Sequence, residues 1–305
     1  MLKMTLSALI VGATALTGTV ALADWRDDVP VFRIGILGGE NEADRLRERE
    51  CQATYLEDRL GVPVELFPAS DYAGVLQGLL AGQLEFAELG SSGYAGIYLQ
   101  DENAVEPLYT VQQIDGSLGY YSVMYVSSDS DINSLEDMQG HSLAFADPNS
   151  TSGYLVPNAE LNEMGINPEE YFSTTGFGGG HEQAVISVLQ GQYDGGVTWT
   201  SGVGDIAEGY SRGNLRSMVD KDLLDMDDIR IIWQSNLITN GPRVIRSAVA
   251  TELKDLVMGA MMRLQFEDPD CFEAINQGSA LAYYPINTEF YMPIINMRRQ
   301  LAATR

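Results

Sequence analysis

Seven consecutive residues, Asp147-Pro148-Asn149-Ser150-Thr151-Ser152-Gly153, hold the densest chemistry in the chain. They follow an apolar run, Ser142–Ala146, that reads as a short buried strand. They precede Tyr154–Met164, whose apolar spacing suits a helix closed by Gly165. Strand, polar turn and helix in that order put three hydroxyls and several unpaired backbone N–H groups at a helix N-terminus. Such a terminus carries partial positive charge and free donors, so it suits a small oxyanion. Ser, Thr, Asp and Asn are also good N-caps, and the heptapeptide alone reads equally well as a capping run.

Few other residues offer reactive chemistry. There are two histidines and two cysteines, with no HExxH and no CxxC. No metal-ligand spacing stands out, and neither a metal nor a cofactor is expected. His181 follows Gly178-Gly179-Gly180 and opens a helix, whereas His141 reads as a surface residue. Ser150 or Ser152 beside His181 would imitate a nucleophile–base pair, although a crowd of hydroxyls suits cradling better than attack. Cys51 and Cys271 could pair in an oxidising compartment or stay as two buried thiols, since a wide sequence separation says nothing of proximity.

Charge narrows the partners. Lys and Arg total 18 against 43 Asp and Glu, a net charge of −25. That argues against nucleic acid or an anionic membrane as partner. Any anion site must therefore be a local exception built from dipoles and hydrogen bonds. Residues 1–23 have the form of a cleaved signal peptide: Lys3, an apolar stretch Leu6–Val20, and Ala21-Leu22-Ala23 before Asp24. No later run approaches the ~18 apolar residues of a membrane span. The expectation is an exported protein, not embedded in the membrane, and monomeric.

The elements that must position these residues alternate. Val31–Leu37 reads as a strand, Glu42–Leu60 as a helix with Arg45, Arg47, Glu48 and Glu50 on wet faces, and Val62–Phe67 as a strand. A turn at Pro68–Tyr72, a helix over Val75–Ala81 and a strand over Leu84–Leu89 follow. A second series begins after the strand Tyr120–Val126: the oxyanion turn and its helix, a helix over Glu182–Gln190, a strand over Tyr193–Trp199 and another over Ile229–Ser235. Strands alternating with helices imply mostly parallel sheets with crossovers. We expect two α/β lobes, residues 24–117 plus 236–305 and residues 118–235, with hinge segments near 110–122 and 229–241. Ligands in such sheets bind beyond the carboxyl ends of the strands, here between the lobes.

In its motifs the chain resembles the periplasmic phosphonate-binding proteins that feed ABC importers. The resemblance lies in Asp71–Gly78 (DYAGVLQG), Asp115–Val123 (DGSLGYYSV), Asp147–Pro157 (DPNSTSGYLVP) and Gly180-His181-Glu182, in order and spacing. It implies a two-lobed type II binding-protein fold and no catalysis. It also implies a phosphonate held by Ser150, Thr151, Ser152, Tyr72, Tyr120 and His181, and delivery to an ABC permease with its ATPase in the periplasm. An anion against His181 would favour the charged ring. Relatives that take aminoalkyl phosphonates set acidic side chains against the ammonium group; the matching positions here count to Ser201 and Gly241, which carry no charge. A small or non-amino ligand is therefore expected: methylphosphonate, phosphite or phosphate. Glu182 or Asp205 could restore an aminoalkyl ligand, and Trp199 could receive a trimethylammonium tail by cation–π contact. Trp199, Ser201 and Asn240 are the expected tail contacts. The alternatives are a sensor-type binding protein and an exported phosphonate or phosphate-ester hydrolase.

Overall fold

The computed structural model describes residues 24–38 and 42–303, so the expected signal segment lies outside the described residues. Two six-stranded sheets organise the chain. The first contains β1 (Phe32–Ile36), β2 (Val64–Pro68), β3 (Phe86–Glu88), β4 (Val105–Gln112), β11 (Arg243–Arg246) and β12 (Ala282–Pro285), in the order β12-β4-β11-β3-β1-β2. The second contains β5 (Gly119–Ser127), β6 (Ser142–Phe145), β7 (Thr174–Phe177), β8 (Gly195–Thr200), β9 (Ile229–Gln234) and β10 (Ile238–Thr239). Its order is β10-β5-β8-β6-β7, with β9 also paired to β5. Residues 113–118 and 240–242 carry the chain between the sheets.

Both sheets are mixed rather than mostly parallel. β1 pairs parallel with β2 and β3, and β6 with β7 and β8, where helices make the crossovers. β4, β5 and β9–β12 pair antiparallel. β4, β5, β10 and β11 flank the two passages between lobes, where no crossover helix returns a strand in the same direction.

Each sheet buries both faces. In the first lobe, the helix Glu42–Leu60 packs with Thr251–Glu267 and Pro269–Ile275 over Phe32, Ile34 and Phe86. Tyr72–Leu80, Ser91–Gln100 and Met292–Ala303 cover the opposite face. In the second lobe the pleat of β5 sends Met124 and Val126 into one core and Val123 and Tyr125 into another. Cys51 and Cys271 form a disulfide joining two helices of the first lobe, with Cα atoms 5.8 Å apart. No described helix is long and apolar enough to cross a membrane.

Candidate oxyanion site between the lobes

The oxyanion turn opens its helix with a single π-turn, Thr151–Leu155, before α-helix Val156–Glu163 takes over. Sequence periodicity did not reveal this widening, which is common at functional sites. Ser150 is the N-cap; its Oγ accepts from the Gly153 amide at 3.0 Å. The Thr151 amide has no acceptor among the described residues, and the Ser152 amide turns toward the Tyr120 phenol oxygen. Three buried hydroxyls and two amides thus converge at the positive end of a helix. Gly153 is needed here because a Cβ would lie 2.9 Å from His181 Cε1 and 2.5 Å from the Ala146 Cβ.

His181 is the first residue of helix His181–Leu189. Its Nε2 pairs with Ser150 Oγ at 3.0 Å and its Nδ1 with Thr198 Oγ1 at 3.3 Å. Burial pushes the imidazole down to about 3, so the ring is neutral in the unliganded site. The charged ring expected from the sequence would need an anion against it to offset that burial. Tyr120, on β5, is buried; burial raises its phenol, opposed by hydrogen bonding with Ser152 and Thr151. Its ring meets Trp199 edge-on at 5.5 Å.

Tyr72 comes from the first lobe. Its segment is not a turn: Asp71 caps a helix that begins at Tyr72 itself. The Tyr72 amide donates to Asp147 Oδ2 at 3.4 Å across the lobes. Thr151 Oγ1 likewise accepts from the Ser92 amide at 2.8 Å, and Arg298 reaches Asn149 at 2.8 Å and Ser92 at 2.8 Å. At the far side, the Gly213 amide donates to Gln277 O, and the Ser279 amide to Ser211 O. The lobes are closed, and they enclose a cavity of about 150 Å³. That is roughly ten times what a single water needs.

Tyr72, Tyr120, Ser150, Thr151, Ser152 and His181 all line this cavity. Trp199 and Asn240 line it too, the latter with its side-chain amide donating to Val111 O at 2.8 Å. Ser201 does not: its hydroxyl is buried against Ser211 and Val203 O. Gly241 lines the cavity but has no room for any side chain, since a Cβ would lie 1.9 Å from Leu89 O. Neither Glu182, paired with Lys221, nor Asp205, an exposed cap, reaches the cavity. The guanidinium of Arg212 already lies 4.9 Å over the Trp199 ring, where a trimethylammonium tail was expected.

The cavity also holds charges that the sequence reading missed. Arg45, expected on a wet face, is buried; it lines the cavity with Glu48, Arg49, Glu88, Arg212 and Arg243. Glu88, at the carboxyl end of β3, is shared by Arg49 and Arg243 at 2.8 Å each. Burial raises its carboxyl, but Arg243, Arg49 and Arg212 together hold it below the usual carboxylate range. A strand's carboxyl end was the available signal for Glu88. The arginines gave none, because tertiary contacts rather than helical periodicity hold them: Arg45 donates to Leu37 O and Ala69 O, and Arg49 and Arg243 pair with Glu88.

This geometry agrees with what the chain is similar to. A family model described as "ABC transporter, phosphonate, periplasmic substrate-binding protein" matches residues 34–282. The phosphate-import protein PhnD of Mycolicibacterium smegmatis is 28% identical over 229 residues, 73% of this chain and 68% of that protein. The phosphonates-binding periplasmic protein of Escherichia coli is 27% identical over 268 residues, 84% and 75% of the two chains. A binding-protein component of an ABC phosphonate transporter from Pseudomonas aeruginosa superposes with a TM-score of 0.74 at 25% identity, covering 88% of this chain and 85% of its own. The architecture is the two-lobed type II periplasmic binding-protein fold. The chain belongs to the phosphonate-binding family, the periplasmic substrate-binding proteins of ABC transporters.

Proposed function

We propose that the protein captures a phosphonate-type oxyanion between its lobes and hands it to an ABC permease and ATPase after export to the periplasm. The observation that carries this is the convergence of the Ser150–Ser152 hydroxyls, two amides and the Tyr120 phenol on one closed cavity. A tetrahedral head offers three oxygens with several lone pairs, and these donors match them. Tyr72 comes from the first lobe and the serines from the second, so the ligand bridges both and favours closure. The lobes follow the two sheets, residues 24–117 plus 240–305 and residues 118–239, because β10 pairs with β5, and the passages at 113–118 and 240–242 act as the hinge.

A ligand without an amino tail fits best. Glu88 already serves two guanidiniums and Glu48 pairs with Lys221, so among the described residues no unpaired carboxylate lines the cavity to meet an ammonium group. Methylphosphonate, phosphite and phosphate are the first candidates, phosphate also because one relative is named for its import. Catalysis is disfavoured. Ser150 and His181 stand at hydrogen-bond distance, but the ring's other nitrogen meets Thr198 rather than a carboxylate, and burial makes the imidazole a weak base.

The test is a thermal-shift panel on mature protein stripped of ligand by unfolding and refolding, with phosphate, phosphite, methylphosphonate, 2-aminoethylphosphonate and sulfate. A ligand at 1,000 times its Kd adds about 4 kcal/mol of stability. Response to a non-amino phosphorus anion with silence to sulfate is expected. Silence to every phosphorus compound would overturn the proposal. Uptake with and without the cognate permease separates transport from sensing.

A further inference from the structure

The wall of the cavity contributed by Arg212, Arg243, Arg49 and Glu88 is more than the capture of a bare oxyanion requires. Three guanidiniums share one carboxylate there. Arg243 is satisfied by Glu88 at 2.8 Å and by Asn276 Oδ1 at 2.7 Å. Arg49 has Glu88. Arg212 feels Glu88 only at longer range, makes no contact ion pair with it, and lacks a full set of hydrogen bonds. Its residue is 4% exposed, its Nε donates to Asn276 O at 2.7 Å, and its Nη1 has no acceptor. Buried and beside Arg243, the guanidinium is pushed down to about 10, which still leaves it charged at neutral pH.

A buried cation without a counterion is costly in an isolated protein. Here it is held in position by the Trp199 ring and by the backbone of residue 276, at the seam where the lobes meet. It arises from the loop after β8, whereas the oxyanion turn lies after β6. The head site has its own donors in the hydroxyls and amides described above. A cavity of about 150 Å³ leaves room beyond a phosphonate head for a tail of a few atoms.

From these observations we infer that Arg212 receives a second anionic group at the far end of the ligand, so that the preferred substrate class is a short phosphonate carrying a terminal carboxylate. The inference rests on the phosphonate-capture reading and deepens it by naming the tail. The carboxylate bonds the edge of the guanidinium that lines the cavity and offsets the cationic excess around Glu88. Closing the lobes brings Arg212 of the second lobe against residue 276 of the first, so the tail contact completes only in the closed state.

Titration calorimetry on the ligand-stripped mature protein tests this. Phosphonoacetate and 3-phosphonopropionate are compared with ethylphosphonate and propylphosphonate, and with 2-aminoethylphosphonate and methylphosphonate. At least one carboxylated compound should bind about 10- to 100-fold tighter than its alkyl counterpart, the range expected of a charge-assisted contact. Arg212→Gln should abolish that ratio, because loss of the bond to Asn276 O weakens acid and alkyl compounds alike whereas loss of the charge weakens only the acid. Equal binding of acid and alkyl compounds, or preference for the amine, overturns the inference and leaves phosphonate capture standing. A ratio that survives Arg212→Gln, with acid and alkyl compounds weakened equally, also overturns it, because the tail preference would then come from another group. If the variant does not fold, the wild-type ratio alone decides. Silence to every phosphonate, methylphosphonate included, removes the capture reading and this inference with it.

Discussion

Gly90→Ala should weaken ligand binding without harming the fold. Gly90 is the N-cap of helix Ser91–Gln100, with φ −67° and ψ 154°, a backbone that alanine adopts freely. A Cβ there would lie 2.9 Å from Thr151 Oγ1, across the gap between lobes. Thr151 cannot simply swing aside, because its hydroxyl accepts from the buried Ser92 amide at 2.8 Å. Losing that bond costs about 1–3 kcal/mol, and crowding a packed contact by one methyl costs about 1–3 kcal/mol more. Some of this relaxes away, so a net penalty of about 2–4 kcal/mol on the closed state is expected, or roughly 30- to 1,000-fold in Kd. Open lobes carry no such contact, so the ligand-free melting temperature should hardly move. Calorimetry with a responding phosphonate and thermal melts of the free protein measure both quantities. A wild-type Kd would refute the reasoning about closure, as would a ligand-free melting temperature that drops as far as the binding energy does.

Tyr120→Phe deletes one buried donor to a charged head and should weaken phosphonate binding about 10- to 100-fold; an unchanged Kd would remove Tyr120 from the site. His181 has a folded pKa of about 3, below its ordinary value, so the unfolded chain binds its proton first. Its contribution to stability is complete above the ordinary histidine range and is lost as pH falls toward 3, at about 1 kcal/mol per pH unit. Urea melts at pH 7 and pH 5 should therefore show a smaller pH penalty for His181→Gln than for wild type, and equal penalties would contradict the burial argument. Reducing the Cys51–Cys271 bridge, which spans 220 residues, should cost up to about 5 kcal/mol in the chain-entropy view. Denaturant midpoints with and without reductant read this directly, and coincident midpoints would mean that the bridge constrains nothing.

Much of this arrangement was legible in the chain because it is locally encoded. The helix Glu42–Leu60 is bounded by its apolar spacing and Gly61, and the strand–turn–helix order around Ser150 follows from hydroxyl caps beside an apolar run. Tyr72, Tyr120 and His181 were singled out by motif, and the fold brings all three to the cavity holding Ser150–Ser152. Tertiary contact hid the rest. The antiparallel half of each sheet depends on where the chain passes between lobes, which no periodicity records. Counting along the chain pointed to Ser201 and Gly241 as tail positions, but the loop after β8 folds back so that Ser201 faces Ser211 while Arg212 turns to the cavity. Arg45 and Arg49 sit on a helix face that would be wet in an isolated helix, but Leu37 O, Ala69 O and Glu88 of the same lobe engage them. The pairing of Cys51 with Cys271 required the two helices to be docked first.

The central claim is that a phosphonate head rests on the helix terminus at Ser150–Ser152 between the closed lobes, and a crystal structure of the protein with methylphosphonate tests it most directly. The account predicts phosphonate oxygens within about 3 Å of the Ser150, Thr151 or Ser152 hydroxyls and amides and of the Tyr120 phenol, with Tyr72 closing over them from the other lobe. Density for the ligand elsewhere, or an empty turn in crystals grown at saturating methylphosphonate, would contradict it.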